Sequence, residues 1–289
     1  MNKDLTIVFS SYQSQKLLNK ILIKFKNKYK IIIIENSLDY EVKKSLEKKF
    51  NNVNVVIPKE NLGLAKSYNL GLDIAKTKFV FLNNPDIEID NKSIKELLIC
   101  AKKIKNLGVI SPTYKYENIY KNYEIYSSKK KINTSTFDKY GIIEVDFIDN
   151  NFLINKKNIS KLCFDKNYFL YYETADFTKN LKKIDKKLYV AKKIKFHHFG
   201  ASSLPSKYSN LVKKTRSFHY NWSKFYFYRK NYNYLYALKK IYPNLIKSIK
   251  KIFLGIIRFD KKLLKFSLLE IFGIFTAIIL CKSFYRPRK

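Results

Sequence analysis

The chain has 289 residues and a mass of 34.4 kDa, a length that fits one large domain or one domain with an appendage. Its residues are 46% hydrophobic and 16% aromatic, enough to build a core, so general disorder is excluded in spite of a formal net charge of +35. The charge is uneven, because residues 206–289 carry 20 Lys or Arg and two acids, a net of +18. This asymmetry predicts a separate role for the last third, although part of the lysine excess reflects compositional bias.

The cysteine pattern and the amino-terminal residues indicate a compartment. Cys100, Cys163 and Cys281 lack the paired spacing of a disulfide framework or a zinc site. Residues 1–9 enter a strand-like run without the basic start, apolar centre and cleavage site of a signal peptide. We therefore expect a cytoplasmic protein.

The first half of the chain alternates strand-like and helix-like segments. Apolar, β-branched runs predict strands, and amphipathic spacing predicts helices. The predicted strands are 5–10, 31–34, 53–57 and 79–82, and the predicted helices are 16–25, 41–50 and 64–75. This alternation predicts an α/β fold with a mostly parallel central sheet flanked by helices.

A polar cluster follows each of these strands. The clusters are Ser10-Ser11-Tyr12, Glu35-Asn36-Ser37, Glu60-Asn61 and Asn84-Pro85-Asp86. In open α/β sheets, ligands bind beyond the carboxyl ends of the strands. The sequence therefore predicts a binding site at this edge.

The second half is less regular. Residues 114–139 predict a loop or irregular hairpin, after which strands are expected at 142–148, 151–154 and 188–191. Beyond residue 205 the chain becomes helical, basic and aromatic, with an amphipathic helix predicted over 245–266. The uncharged run 271–281 is shorter than the ~20 residues of a spanning helix.

Asn84 and Asp86 form a compact pair of oxygen ligands at a strand end. Mg²⁺ and Mn²⁺ accept one or two protein carboxylates and take their other ligands from substrate phosphates and water. The alternative is a turn in which Asp86 caps a helix that starts near residue 93.

Glu173 and Asp176 form a second acidic group, beside a run of aromatic residues. Partial desolvation there would suit a general base. The alternative is that Asp176 is the N-cap of a helix over 177–184 and Glu173 a charge near its dipole. His197 could complete a metal shell with Asp86, or be a filler in the core or on the surface.

Taken in order, these segments resemble the family 2 glycosyltransferases of GT-A fold, in particular the rhamnosyltransferase-like branch of bacterial surface-polysaccharide synthesis. The resemblance covers about residues 5–205. The segments that carry it are 7–14 (IVFSSYQS), 31–37 (IIIIENS), 61–65 (NLGLA), 69–71 (NLG), 82–86 (LNNPD), 164–177 (FDKNYFLYYETADF) and 197–202 (HHFGAS).

The resemblance implies a GT-A domain over 1–205, with a Rossmann-like sheet, and a basic helical tail over 206–289. It implies an inverting transferase that moves a sugar from a nucleotide-diphosphate sugar to a glycan hydroxyl with Mg²⁺ or Mn²⁺. The implied nucleotide-sugar contacts are Ser11, Tyr12, Glu35, Asn61, Gly63, Asn69 and Asn84, and the implied metal contacts are Asp86, Asn84 and His197.

Two departures from the family pattern affect the expected chemistry. Glu35 replaces an Asp at the position of base recognition, which lengthens the arm that carries the acceptor oxygens. Thr174 replaces the expected catalytic acid, and threonine cannot act as a base near neutral pH. Either Glu173 or Asp176 takes this role, or the protein is a catalytically inactive relative.

The tail predicts attachment to an anionic membrane surface. Lysines between the apolar residues of 245–266 give a cationic amphipathic face, which places the protein peripherally on the inner face of the cytoplasmic membrane. The alternative is a pair of terminal helices that packs in a core and leaves its lysines in solvent. An acceptor carried on a lipid fits the membrane hypothesis. The charge and the aromatic content also fit a nucleic-acid-binding protein, but no such motif is present, so no nucleic acid is expected.

Overall fold

A computed structural model describes residues 2–116, 119–120, 122–126, 139–159, 162–198 and 208–286. The side chains of residues 115, 116, 119, 120, 197 and 198 lie outside this description. The chain divides into two compact units: residues 1–164 with 177–204, and residues 165–176 with 205–289. The second unit thus contains the aromatic and acidic segment 165–176 as well as the basic tail.

The first unit has twelve strands among its described residues, ten of them in one large sheet and the other two in a separate antiparallel pair. Its strands are β1 (Leu5–Ser11), β2 (Lys30–Glu35), β3 (Val53–Val56), β4 (Phe79–Asn83), β5 (Ile87–Glu88), β6 (Leu107–Tyr116), β7 (Ile119–Tyr120), β8 (Tyr123–Glu124), β9 (Ile142–Val145), β10 (Phe147–Ile148), β11 (Phe152–Asn155) and β12 (Lys187–His198). The order β3-β2-β1-β4-β11-β6-β12-β5 defines the sheet, with β7 beside β6 and β9 beside β12. Strands β1 to β4 are mutually parallel, and β11 runs antiparallel between β4 and β6.

Helices connect these strands as the alternating pattern predicts. They are α1 (Gln15–Lys24), α2 (Tyr40–Lys49), α3 (Gly63–Ile74), α4 (Asn91–Lys103), α5 (Lys156–Ile159) and α6 (Glu173–Lys183), whose first turn belongs to the second unit. Side-chain caps begin α2 and α4, where Asp39 accepts from Val42 N and Asp90 from Ser93 N. The expected α/β fold with a mostly parallel central sheet is confirmed.

For the middle of the chain, one expected strand is divided in two and the expected loop or irregular hairpin is described in more detail. The strand expected over 142–148 is divided at Asp146, because β9 pairs with β12 whereas β10 pairs with β8. Residues 114–139, expected as a loop or irregular hairpin, contribute the end of β6, the strand β7 that pairs antiparallel with it as a hairpin, and the short strand β8, while residues 127–138 lie outside the described residues.

The second unit contains three long helices, α7 (Ser209–Asn231), α8 (Tyr234–Ile257) and α9 (Lys261–Ile278). They pack around a core of Phe218, Trp222, Phe225, Ala237, Ile241, Ile274 and Ala277. The helix predicted over 245–266 is wrong as a single element, because Phe259 adopts a φ of 51° and Asp260 caps α9 by accepting from Lys262 N and Leu263 N. Among the described residues, no helix has the length and apolar content needed to cross a bilayer.

Candidate functional site

The carboxyl ends of β1 and β2 meet at Ser11 and Glu35. Ser11 Oγ donates to Glu35 Oε2 at 2.6 Å, and Ser37 N donates to Glu35 Oε1 at 2.9 Å. Glu35 is fully buried. Its carboxylate therefore holds the loop that follows β2 and is not accessible to a ligand in this geometry. Tyr12 follows Ser11 and is half-buried, so it lies at the accessible side of the edge.

Asn36 joins this edge to helix α3, a structural role that the sequence motifs did not indicate. Its Oδ1 accepts from Leu62 N at 2.9 Å, and its Nδ2 donates to Ser67 Oγ at 3.0 Å. At the same helix start, Gly63 N donates to Asn61 Oδ1 at 3.0 Å, and Gly63 adopts a φ of 69° that favours glycine. Asn61 and Gly63 are both half-buried, so the beginning of α3 remains accessible beside the strand ends.

The segment that contains Asn84 and Asp86 has a rigid frame. Asn83 donates through Nδ2 to the carbonyls of Asn84 and Ile87, at 2.9 and 3.3 Å. Tyr68 OH donates to Asn84 Oδ1 at 2.8 Å, and Asn84 N donates to Asn151 Oδ1 at 2.9 Å. Asp90, rather than Asp86, caps the following helix, so the capping alternative for Asp86 is wrong. Asp86 is half-buried at the sheet edge.

Asn151 is a site residue that sequence reasoning missed. It is buried, adopts a φ of 61° and joins β4 to β6, because its backbone carbonyl accepts from Ser111 Oγ at 2.8 Å. Asparagine tolerates this backbone region better than most residues do, which was the available signal. Asn69 has a similar bracing role, since its amide group exchanges two 2.8 Å hydrogen bonds with the main chain of Phe164.

The side chain of His197 lies outside the described side chains, but its main chain does not. Strand β12 places His197 opposite Glu88 and His198 opposite Ile87 in antiparallel register. The backbone of both histidines therefore runs beside the segment that carries Asp86.

The oxygen atoms at this edge could hold a divalent cation only in part. Among the described residues, no three His, Cys, Asp or Glu side chains cluster as a complete metal cage. Mg²⁺ and Mn²⁺ at phosphate substrates need only one or two protein carboxylates, and Asp86 with the Asn84 amide oxygen provides such a partial shell. The residues present therefore fit a metal that is completed by a bound diphosphate.

Glu173 and Asp176 lie together in the second unit, in the first turn of α6. Both are buried, and Asp176 is not the N-cap that the alternative required, because α6 already begins at Glu173. Tyr171 and Tyr172, directly before the helix, have φ values of 71° and 63°. Two consecutive bulky residues in this backbone region are strained, a feature that clusters at functional sites.

Helix α7 holds Asp176 through residues that no motif indicated. Lys230 Nζ donates to Asp176 Oδ2 at 2.6 Å and to Asp165 Oδ2 at 2.7 Å, and Asn231 Nδ2 donates to Asp176 Oδ1 at 2.9 Å. Burial alone would lower the pKa of Lys230, but its hydrogen bonds to both carboxylates raise it. Burial would likewise raise the pKa of Asp165, but the bond from Lys230 lowers it. We call Asp165, Asp176, Lys230 and Asn231 the carboxylate clamp.

Comparison with known families decides the membership of the chain. The family model described as Glycosyl transferase family 2 matches residues 6–163, more than half of the sequence. The chain belongs to glycosyltransferase family 2. The match ends just before the carboxylate clamp, so the clamp lies outside the part of this family 2 chain that the family model describes.

Solved structures share the fold at low sequence identity. GalNAc-T7 with UDP, GalNAc and Mn²⁺ has a TM-score of 0.56 and 13% identity over 78% of this chain, which spans 50% of that protein's length. The mannosyltransferase PcManGT from Pyrobaculum calidifontis, in complex with GDP-Man and Mn²⁺, has a TM-score of 0.56 and 9% identity over 96% of this chain and 88% of its own. No curated protein matches the sequence significantly. These likenesses establish the GT-A fold.

Proposed function

We propose that the protein is an inverting glycosyltransferase of the hexosyltransferase type. It transfers a sugar from a nucleotide-diphosphate sugar to a hydroxyl group of a glycan acceptor. The observation that carries the proposal is the framed sheet edge where Ser11, Asn61, Gly63, Asn84 and Asp86 come together in one unit, with accessible positions at Asn61, Asn84 and Asp86. Strand ends and a helix start are where α/β folds bind nucleotides.

The donor half of the reaction takes place at this edge. Tyr12 and Asn61 contact the nucleotide, with Glu35 and Asn69 holding the surrounding loops through the internal hydrogen bonds described above. Asp86, with Asn84 and His197, would hold Mg²⁺ or Mn²⁺. The bound metal supplies charge that stabilises the departing diphosphate.

Glu173 is the general base of the proposed reaction. Its carboxylate takes the proton of the acceptor hydroxyl, while the hydroxyl oxygen bonds to the anomeric carbon and the bond from that carbon to the diphosphate oxygen breaks. Asp176 is assigned a positioning role instead, because Lys230 and Asn231 engage both of its oxygens.

Bacterial surface polysaccharide, lipooligosaccharide or capsule synthesis is the biological setting that we propose. A lipid-linked acceptor fits this setting, and so does a peripheral position on the inner face of the cytoplasmic membrane. The support is the motif resemblance together with the net charge of +18 on residues 206–289.

A thermal-shift panel of nucleotide diphosphates and nucleotide sugars, with and without Mn²⁺, tests the donor half. We expect one nucleotide to raise the melting temperature, and Mn²⁺ to increase the shift. Asp86→Asn should abolish the Mn²⁺-dependent part, whereas Asp73→Asn, an exposed aspartate on α3, should preserve it. Equal shifts for both variants would remove Asp86 from the metal site, and stabilisation by nucleic acid alone would contradict the proposal.

Transfer to alkyl glycosides tests the base. Glu173→Gln should lower kcat by about 10²-fold or more, the size expected for loss of a general base. Asp176→Asn should retain measurable transfer. It should change the melting temperature and leave the pH profile of kcat nearly unchanged. If Asp176→Asn removes the acidic limb of the pH profile of kcat and Glu173→Gln does not, the two roles are exchanged. Nucleotide binding without turnover of any donor would instead indicate an inactive relative, which the Thr174 position already suggested.

A further inference from the structure

Helix α9 exposes the side chains that a water-soluble helix normally buries. Its outward positions Leu268, Phe272 and Phe275, followed by the C-cap residue Ile279, succeed one another at spacings of four, three and four residues, which is one face of a helix. Their exposed fractions are 57%, 43%, 59% and 53%. Single exposed apolar residues are common, but a continuous stripe of large ones indicates an interaction surface.

The buried face of α9 is made largely of small residues. Ser267, Gly273, Thr276 and Ala277 are buried, and a Cβ added at Gly273 would lie 2.3 Å from the backbone oxygen of Phe218 on α7. The two hydroxyls are satisfied inside the helix itself, since Ser267 donates to Leu263 O and Thr276 to Phe272 O. Helices pack through small residues in this way when their large apolar side chains face lipid.

The corner between α8 and α9 also exposes large apolar side chains. Ile257 is 72% exposed, and Phe259 is 89% exposed in spite of its left-handed backbone conformation. Holding a phenylalanine in that conformation with its ring in water costs free energy on both counts. Phe253 and Ile256 are also exposed at this corner.

Unneutralised cations surround the corner. Arg258, Lys261, Lys262 and Lys265 are exposed, and no ion pair among the described residues involves them. The neighbouring acid, Asp260, is occupied in capping α9, and Glu270 faces inward to Lys251 and Ser248. The close approach of the Lys265 ammonium lowers the pKa of Lys214 on α7, so the cations repel one another in the absence of an anion.

We infer that this surface, the stripe Leu268, Phe272, Phe275 and Ile279 with the corner 253–259, lies in the plane of an anionic lipid bilayer. The stripe covers 12 residues, about 18 Å of helix, whereas a bilayer core is ~30 Å thick, so α9 lies along the interface and does not cross it. Leu268 and Phe275 enter the acyl region while Lys261, Lys262 and Lys265 meet lipid phosphates. A second copy of the chain is a poorer occupant, because it would bring an equally positive surface to the same face.

The inference deepens the proposed membrane location by assigning the face and its orientation. It depends on the proposed function for its biological sense only, and its test needs no sugar transfer. A failure to bind lipid therefore leaves the transferase proposal standing, and a lack of transferase activity leaves the lipid test intact.

Vesicle flotation of the full-length protein provides the test. We expect binding to vesicles of phosphatidylcholine mixed with phosphatidylglycerol, and weaker binding to phosphatidylcholine alone. Leu268→Ser combined with Phe275→Ser should lower the partition coefficient at least about tenfold, because two large apolar side chains no longer leave water. The matched control is Ile23→Ser with Ile99→Ser, two exposed apolar residues on α1 and α4 of the first unit, which should change nothing.

A second pair of variants tests the charge contribution. Replacing Lys261, Lys262 and Lys265 by glutamine should remove the preference for anionic vesicles. Replacing the exposed Lys16, Lys20 and Lys48 of the first unit by glutamine removes the same charge and should preserve it. Equal losses in both triple variants would mean that overall charge, and not this surface, attracts the membrane.

The native cysteines offer a readout that does not depend on destabilising the fold. Cys281 is exposed just beyond the stripe, and Cys163 is exposed in the first unit. A polarity-sensitive fluorophore on Cys281, in Cys163→Ser protein, should shift to the blue with anionic vesicles, and the same fluorophore on Cys163, in Cys281→Ser protein, should not. Absence of the shift, or a concentration-dependent dimer that Leu268→Ser with Phe275→Ser dissociates in the absence of lipid, would overturn the inference.

Discussion

The sheet of the first unit buries mainly large apolar residues, whereas helix α9 of the second unit buries mainly small ones. Strands β1 and β4 bury Phe9, Phe79 and Phe81 at 0–1% exposure, and the core of this unit is almost entirely large and apolar. Helix α9 buries one large apolar side chain, Ile274, and otherwise the small residues Ser267, Gly273, Thr276 and Ala277, whereas Phe272 and Phe275 are exposed. The chain therefore follows two packing rules. In the sheet, large apolar residues lie inside, which suits a protein surrounded by water. In α9, small residues lie mainly inside and large ones outside, which suits a helix in contact with apolar molecules.

Buried polar groups also connect the elements of the second unit. In the second unit, His219 is fully buried on α7, where its Nε2 contacts Tyr285 O at 2.8 Å and its Nδ1 contacts Ser283 Oγ at 3.1 Å. Close backbone approach and specific polar contacts therefore join the helices in addition to the apolar core around Phe218, Trp222 and Phe225. The difference can be tested by substitutions whose expected effects differ in size.

The largest effect is expected in the sheet. Phe81→Ala removes a fully buried ring that packs edge to face against Phe196, with ring centroids 6.1 Å apart. We expect the free energy of unfolding to fall by about 3–5 kcal/mol, measured by urea titration. A loss below 1 kcal/mol would mean that this core does not rely on tight packing of large side chains.

Gly273→Ala should have the next largest effect. The added methyl group meets the backbone of Phe218, which cannot rotate away as a side chain could, so α7 and α9 must move apart. We expect a loss of about 1–3 kcal/mol in urea titration. Leu268→Ala on the outer face of the same helix is the control and should leave the midpoint nearly unchanged.

Acid should weaken the second unit through His219. Burial lowers the pKa of His219 to about 3 from its ordinary 6.5, so the unfolded chain binds a proton between these values and the folded chain does not. The stability is fully present above pH 6.5 and falls by about 1.4 kcal/mol per pH unit below it, until the pH reaches the folded pKa. Urea midpoints of the wild type and His219→Gln between pH 7 and pH 4 measure this slope. An unchanged slope in the variant would show that other groups cause the acid sensitivity.

The smallest effect on stability is expected at Phe275, where the two packing rules differ most. Phe275→Ser replaces a ring that is 59% exposed, so the free energy of unfolding in buffer should change by less than ~0.5 kcal/mol. A large loss would show that the ring contributes to the core of the unit, and the contrast between the two regions would then disappear.

Local patterns were sufficient for strands β1 to β4 and helices α1 to α3 of the first unit. Runs such as Ile31–Ile34 can be satisfied only inside a sheet, and the polar residues after them predicted the edge at which Ser11, Asn84 and Asp86 lie. The break between α8 and α9 was missed because Arg258 and Lys261 continue the amphipathic pattern. The capping signal of Asp260, two residues before Lys262, could have revealed it.

Other features of the site depend on distant parts of the chain. That Glu35 is buried follows from its hydrogen bond with Ser11, 24 residues earlier, and no local pattern reports it. Lys230 lies 54 residues after Asp176, in a basic and aromatic helix where many lysines have equivalent surroundings in sequence. Only the packing of α7 selects the lysine that pairs with the carboxylates.

The carboxylate clamp has a consequence for exchanging parts between related transferases. The segment 165–176 and the helices after residue 205 form one unit, although 177–204 separates them along the chain. A chimera joined near residue 205 would place Asp165 and Asp176 beside a foreign helix that lacks Lys230 and Asn231, and would leave buried acids without a countercharge. Moving this unit between related proteins would therefore require both pieces of the chain to be transferred together.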